Sequence, residues 1–265
     1  MSLRNSLLWK LSLPASEGVS YLFGTMHIRD KRAFAGLGKV YSCIDACPVF
    51  ALELDLGEEP GWGGYDFLRF PGQSSLHDFL NPRAYSRLRK SLLKAFRIDI
   101  ALFSGYSPFA IVDIITAQVM SEDHPLFLDA HLWQYAEMQG KKNMGIETLE
   151  EQTGLLLRMP LEVQVKMLRE IGRDTAGFRA TLHRMAAVYQ EGDLKNLYRL
   201  SRKSSGALRK EMLFDRNEVM ARRIADLLSK ENLFCAIGAG HLWGGKGVLR
   251  LLKRRGIRVV PVHLP

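Results

Sequence analysis

No run of apolar residues in this sequence approaches the roughly 18–20 that a membrane-spanning helix needs. Cysteine is scarce as well, with three among 265 residues, so they cannot all pair. Cys43 and Cys47 lie four apart in a helical-looking stretch, and Cys235 sits in an apolar strand. All three read as reduced core thiols, which fits a reducing compartment. No H-E-x-x-H occurs, which excludes a thermolysin-like zinc helix. There is no zinc-finger spacing, no aromatic-interleaved basic strand and no basic tail, so a nucleic-acid partner is not expected. After Glu231 the chain contains no Asp or Glu at all.

What is present suits a folded chain. The hydrophobic fraction is 47% and the net charge is +9, enough apolar content for one large domain or two small ones. The basic clusters "RLRKSLLKAFR" and "LLKRRGIR" are amphipathic and read as solvated helix faces. "MSLRNSLLWKLSLPASEG" is broken by Lys10 and Pro14 and makes a poor signal peptide. The expectation is a cytoplasmic protein, exported if a leader was trimmed ahead of Met1. No feature sets an oligomeric state.

"SLLWKLSL" and "VSYLFGTMH" read as a hairpin, and "FAGLGKVYSCIDAC" as a helix. "PVFALELDL" reads as a strand, followed by a glycine- and proline-rich surface loop around Trp62. From about 81 to 230 the apolar spacing is mostly helical, interrupted by a strand in "KKNMGIETLEEQ". The chain ends strand, turn, helix, strand. The expected fold is α/β: a mixed central sheet built from N- and C-terminal strands, around a large helical middle region, in a single domain over 1–265. Sites in such sheets form beyond the C-terminal ends of strands.

The last turn, "AIGAGHLWGGKG", invites three readings. Gly240 to Lys246 spells G-x-x-x-x-G-K, but Gly247 stands where a phosphate loop needs Ser or Thr. A nucleotide-binding strand would also need a later acid for the metal, and none follows. As a dinucleotide fingerprint the turn lacks the acid about 20 residues downstream. The histidine reading gains from a second copy. "LFGTMH" and "AIGAGH" are each an apolar strand followed by Gly-x-x-His, Gly24 to His27 and Gly238 to His241. Each projects an imidazole from a strand's C-terminal end. In "FALELDL", Leu52, Leu54 and Leu56 take one face, leaving Glu53 and Asp55 on the other. An acid inside a strand is costly unless paired or ligated, although an exposed face would explain it too. His27, Glu53 and His241 would make a two-histidine, one-carboxylate metal site.

These stretches, with "FLDAHLWQYAEMQGKKNMGIETLEEQ" and "LFDRNEVMARRI", resemble the TraB/GumN family, which includes the Tiki proteins. The resemblance runs from about Leu7 to Val262. It implies a fold grouped with erythromycin-esterase-like and haem-binding ChaN-like proteins, and divalent-metal-dependent protease activity in the Tiki members. By resemblance, His27, Glu53 and His241 carry over as metal or catalytic residues, and the Arg216-Asn217 pair matches a family motif. The expected function is a divalent-metal-dependent hydrolase, peptidase-like, using Mn, Co or Zn on a peptide or small-molecule substrate. The alternative is a non-catalytic protein of the same fold that sequesters a peptide, haem or metal. Arg216 would stabilise an oxyanion, or else pair with an acid such as Glu147. Asn217 would orient substrate or a ligand, and Glu53 would serve as ligand or as base. Asp129 and Glu147 match the same family segment but read as structural, and Asp193 reads as a helix N-cap after Gly192. Trp62 and Trp243 would line an entrance.

Overall fold

The computed structural model describes residues 6–14, 18–57, 68–70, 74–120, 122–204 and 209–264. The loop carrying Trp62 therefore lies outside the described residues. The chain divides into two compact units, one of Met1–Glu59, Glu122–Leu149 and Met185–Pro265, the other of Pro60–Ser121 and Glu150–Arg184. The helical middle is thus shared between them. No helix among the described residues is long and apolar enough to cross a membrane.

The first unit is a six-stranded mixed sheet with helices. Its strands are β1 (Leu8–Ser12), β2 (Ser20–Thr25), β3 (Val49–Leu54), β4 (Lys142–Glu147), β5 (Leu233–Gly238) and β6 (Arg258–Val262). Their order across the sheet is β4-β3-β5-β2-β1-β6. β4, β3, β5 and β2 run parallel, and β1 pairs antiparallel with both β2 and β6. The β1–β2 pairing is the expected hairpin, and the sheet draws on both ends of the chain. Parallel strands covered on both faces read as near-continuous apolar runs. β5 is such a strand, its Leu233 to Ile237 all buried. Phe234 packs between its neighbours, stacked on Phe50 of β3 at 5.9 Å and tilted against Phe23 of β2 at 6.4 Å. Full burial of each ring is worth about 1.5–3 kcal/mol.

The helices of this unit are α1 (Leu37–Asp45), α4 (Leu128–Met138), α8 (Leu194–Ser204), α9 (Arg216–Leu228) and α10 (Val248–Arg254), with the end of α7 (Thr175–Gln190). Asp193 caps α8 as expected, its Oδ1 accepting from the Asn196 amide at 3.1 Å. Cys43, Cys47 and Cys235 are buried and free. Burial pushes the Cys47 thiol up to about 12 and the Cys235 thiol higher still, so neither offers a thiolate at neutral pH.

The second unit contains α2 (Pro82–Phe96), α3 (Pro108–Val119), most of α5 (Leu149–Arg158), α6 (Leu161–Arg173) and the start of α7. α2 and α3 begin alike: Asn81 and Ser107 accept from Ala84 and Ala110 amides, with Pro at the first helical position. Their apolar faces meet α6 in one core that includes Leu88, Leu92, Ile111, Ile115, Val165 and Leu168.

One glycine of the duplicated motif is fixed by space. A Cβ on Gly24 would lie 2.7 Å from Leu242 Cδ1 and 3.2 Å from the Ala239 backbone. β2 is thereby held against the turn that follows β5. Gly24→Val is expected to cost about 1–3 kcal/mol of stability through overpacking, measured as a shift in the denaturation midpoint. An unchanged midpoint would contradict this close approach.

Candidate metal centre

The four parallel strands end at one edge of the sheet. Leu54 pairs with Glu147, Leu52 with Ala236, and Thr25 with Gly238. Glu147, Glu53, Gly238 and the segment leading to His27 therefore finish side by side on β4, β3, β5 and β2. Side chains at such an edge gather without any one loop having to supply them.

Glu53 is held from two sides. Its Oε2 accepts from the Gly238 amide at 2.8 Å, and its Oε1 accepts from Arg216 Nη2. A Cβ on Gly238 would sit 3.2 Å from that Oε2, so this second motif glycine lets the carboxylate come close to the backbone. Arg216 is shared. Its Nε donates to Glu147 at 3.0 and 3.1 Å, and its Nη2 to Glu147 Oε2 at 2.5 Å. Arg216 thus both joins the site and pairs with Glu147. Glu147 is 5% exposed and Arg216 16% at the side chain. Burial alone would raise the Glu53 carboxyl, but the Arg216 guanidinium, His241 and the Gly238 amide outweigh it and pull it to about 2. One guanidinium thus bridges two carboxylates in a largely buried place.

Arg216 and Asn217 reach the site together because they open α9. The turn before it, Lys210–Asp215, is π-helical, and such widened turns recur where a helix must present side chains to a site. Asn217 is fully buried. Its Nδ2 donates to the Lys246 carbonyl at 2.7 Å, and a carbonyl can only accept. The amide oxygen therefore faces His241 Nδ1, 2.7 Å away. That contact needs a proton on Nδ1, so Nε2 of His241 carries the lone pair. Nε2 lies 4.0 Å from Glu53 Oε1. Burial, with the Arg216 charge nearby, drives the imidazole down to about 4 against the pull of Glu53, so it is neutral at pH 7.

His27 lies at the same edge but among different contacts. Its Nδ1 is 3.2 Å from Asp129 Oδ2, and its ring stacks on Phe127 at 4.0 Å. Gly24 is tied from behind by the buried Tyr189 hydroxyl, which donates to its carbonyl at 2.7 Å. Among the described residues no three His, Cys, Asp or Glu side chains are gathered into a group able to hold a metal ion. The structure thus joins Glu53, Arg216, Asn217 and His241 in one network and leaves His27 in a neighbouring one.

The donor set nevertheless fits a divalent cation in kind. A neutral imidazole nitrogen and a carboxylate oxygen lie 4.0 Å apart, and both are ordinary ligand types for such an ion. The imidazole's other nitrogen is anchored, as ligating histidines usually are.

Three expectations are refined. β3 ends at Leu54, so Asp55 does not share a strand face with Glu53. Asp55 instead caps a turn, accepting from Gly57 and Gly145 amides at 2.9 and 3.2 Å. Lys246 is exposed over the Phe214 ring, and its backbone carbonyl, not its charge, enters the network. Glu147 and Asp129, read as structural, both touch candidate site residues. Glu147 ends β4, but that strand is only partly apolar and the acid did not stand out in it. Asp129 had only its place in the first turn of a helix.

The sequence profile of the TraB/PrgY/gumN family matches residues 7–261. The chain belongs to this family. The match spans both units and every residue of the candidate site. Among curated proteins, it is similar to the metalloprotease TIKI2 of Danio rerio, at 26% identity over 96% of this chain and 60% of that one. It is also similar to the metalloprotease TIKI1 of Homo sapiens, at 24% over 96% and 61%, and to a metalloprotease TIKI homolog of Amphimedon queenslandica, at 24% over 97% and 61%. The chain therefore spans about 60% of the length of these relatives. No solved structure matches it with significance.

In metal-free protein both perturbed groups act in one direction on stability. His241 takes up its proton near pH 4 when folded and near 6.5 when unfolded. The unfolded chain binds more protons between those values, so stability falls as pH drops through that window. Glu53, at about 2 folded against 4.5 unfolded, adds a loss of the same sign further down. The unfolding free energy of EDTA-treated protein should fall by about 3 kcal/mol between pH 7 and pH 4 from His241. His241→Gln should flatten that part of the curve. Equal slopes in denaturant titrations of both proteins would contradict the buried neutral imidazole.

Proposed function

We propose that this protein is a divalent-metal-dependent hydrolase, peptidase-like in its chemistry. The observation that carries the proposal is the His241–Glu53 pair, with the imidazole tautomer set by Asn217 and the carboxylate held between the Gly238 amide and Arg216. The metalloprotease names of relatives at 24–26% identity support the same reading. His241 and Glu53 would hold the ion, with His27 from the adjacent strand end as third ligand. A divalent ion of manganese, cobalt or zinc supplies Lewis-acid polarisation of a carbonyl and a lowered pKa for bound water.

The chain's own residues divide the remaining work. Glu53, held near 2, is a weak base and a good anionic ligand, so the ligand role suits it better than proton abstraction. Asn217 orients His241, not the substrate. Arg216 is anchored through Nε and Nη2 by Glu147. It keeps that anchor while the charge it shares with Glu53 is redistributed, and so can meet negative charge developing on a substrate oxygen.

Elemental analysis and a peptide and ester library, screened with added manganese, cobalt or zinc, test the proposal. His241→Ala and His27→Ala should abolish tight metal uptake with the fold intact, and Glu53→Gln should lose turnover. Arg216→Lys should lose about 10²–10³-fold in kcat. Unchanged metal stoichiometry in both histidine variants would sink the ligand assignment. Stoichiometric retention of a ligand without turnover would favour a binding protein built on the same site.

A further inference from the structure

The two Gly-x-x-His motifs share more than their spacing. Each imidazole has its Nδ1 against a side-chain oxygen from a helix start: Asn217 on His241 at 2.7 Å, and Asp129 on His27 at 3.2 Å. Asn217 is the second residue of α9, and Asp129 the second residue of α4. A carboxylate facing Nδ1 selects the tautomer with the proton there, which leaves the lone pair on Nε2. The default for an unconstrained imidazole in water is the reverse tautomer. The structure thus imposes one tautomer twice, from two unrelated helices.

The hold on His27 is built, not incidental. Phe127, immediately before α4, stacks on the ring at 13° between planes, which fixes the plane in which the nitrogens lie. The backbone is tied across the same junction. The Leu128 amide donates to the Ile28 carbonyl at 3.2 Å, and the His124 amide to the Arg29 carbonyl at 3.1 Å. Asp129 is 17% exposed at its side chain, whereas His27 is 62% exposed. The carboxylate is therefore the sheltered member, and the ring the presented one.

We infer that Asp129 is a positioning residue of the candidate centre, holding the Nδ1 proton of His27 so that Nε2 is the nitrogen offered to a metal ion, as Asn217 does for His241. The inference rests on the proposed ligand role of His27. It adds a residue that acts through its hold on the ring and touches neither ion nor substrate.

Two measurements on the full chain test it, with Asp129→Ala and Asp129→Asn beside wild type. The first is ¹⁵N–¹H correlation of the imidazole nitrogens in metal-free protein above the histidine titration. Wild type and Asp129→Asn should show the Nδ1–H form at His27, because an amide oxygen still accepts there, as at Asn217. Asp129→Ala should revert to the Nε2–H form. The second is cobalt and zinc titration against a competing chelator. Asp129→Ala should weaken affinity about 10–100-fold, and Asp129→Asn only a few-fold, with thermal melts unchanged. A wild-type His27 in the Nε2–H form overturns the inference, whether or not either variant folds. So does an Asp129→Ala protein that binds cobalt as tightly as wild type. A wild type that takes up no cobalt or zinc sinks the metal reading itself and this inference with it. That failure is distinct, because in the other two wild type still loads.

Discussion

A single guanidinium holds the site edge of the sheet together. Glu53 and Glu147 end adjacent parallel strands, and two buried carboxylates so placed would repel each other and pay heavily for lost hydration. Arg216 meets both. It converts the repulsion into a fixed spacing, and since it opens α9 it also fixes where that helix starts. Asn217 follows it in the chain, so the orientation of His241 is set by the same helix entry. The carboxylates, the guanidinium, the amide and the imidazole are one unit whose geometry cannot be changed at one member alone. Such an arrangement is a poor way to gain stability, because an apolar core of equal volume serves as well or better. Its presence at the mouth of a parallel sheet is therefore not explained by stability alone.

Much of the fold was legible because apolar patterning reports burial directly. "LFCAIGA" is an unbroken apolar run and becomes the strand buried on both faces. The helix starts at Asn81-Pro82 and Ser107-Pro108 carry a local signal, since the cap and the proline act within one turn. Strand order was not visible, because it depends on which apolar runs pair, and every one of them is a plausible neighbour of every other.

The site was legible where residue type and position coincided. A histidine three residues after a glycine at a strand end, occurring twice, and an acid within an apolar strand both break local expectation. Glu147 and Asp129 did not. Glu147 ends a strand whose pattern is only partly apolar, and an acid in the first turn of a helix is ordinary capping chemistry. Their roles come from what lies opposite them in space, 69 residues away for the Glu147–Arg216 pair and 102 for Asp129–His27. Asp55 shows the converse. It shared the alternation of Glu53, but the strand ended two residues earlier than the pattern did.

The place of β5 carries a consequence for how the molecule comes into being. It is the fifth strand in the chain but lies between β2 and β3, so the two earlier parallel strands have no partner in common until it arrives. Before Leu233 is made, the N-terminal strands present open edges of the kind that other chains can add to. The Gly238 amide that Glu53 needs, and His241 itself, do not yet exist. A chain that stops short of this strand is therefore not a weakened version of the protein. It is a pair of half-sheets that holds the Glu53 carboxylate without the amide and the imidazole beside it. The making of β5 and the turn after it is what first allows that carboxylate to meet them.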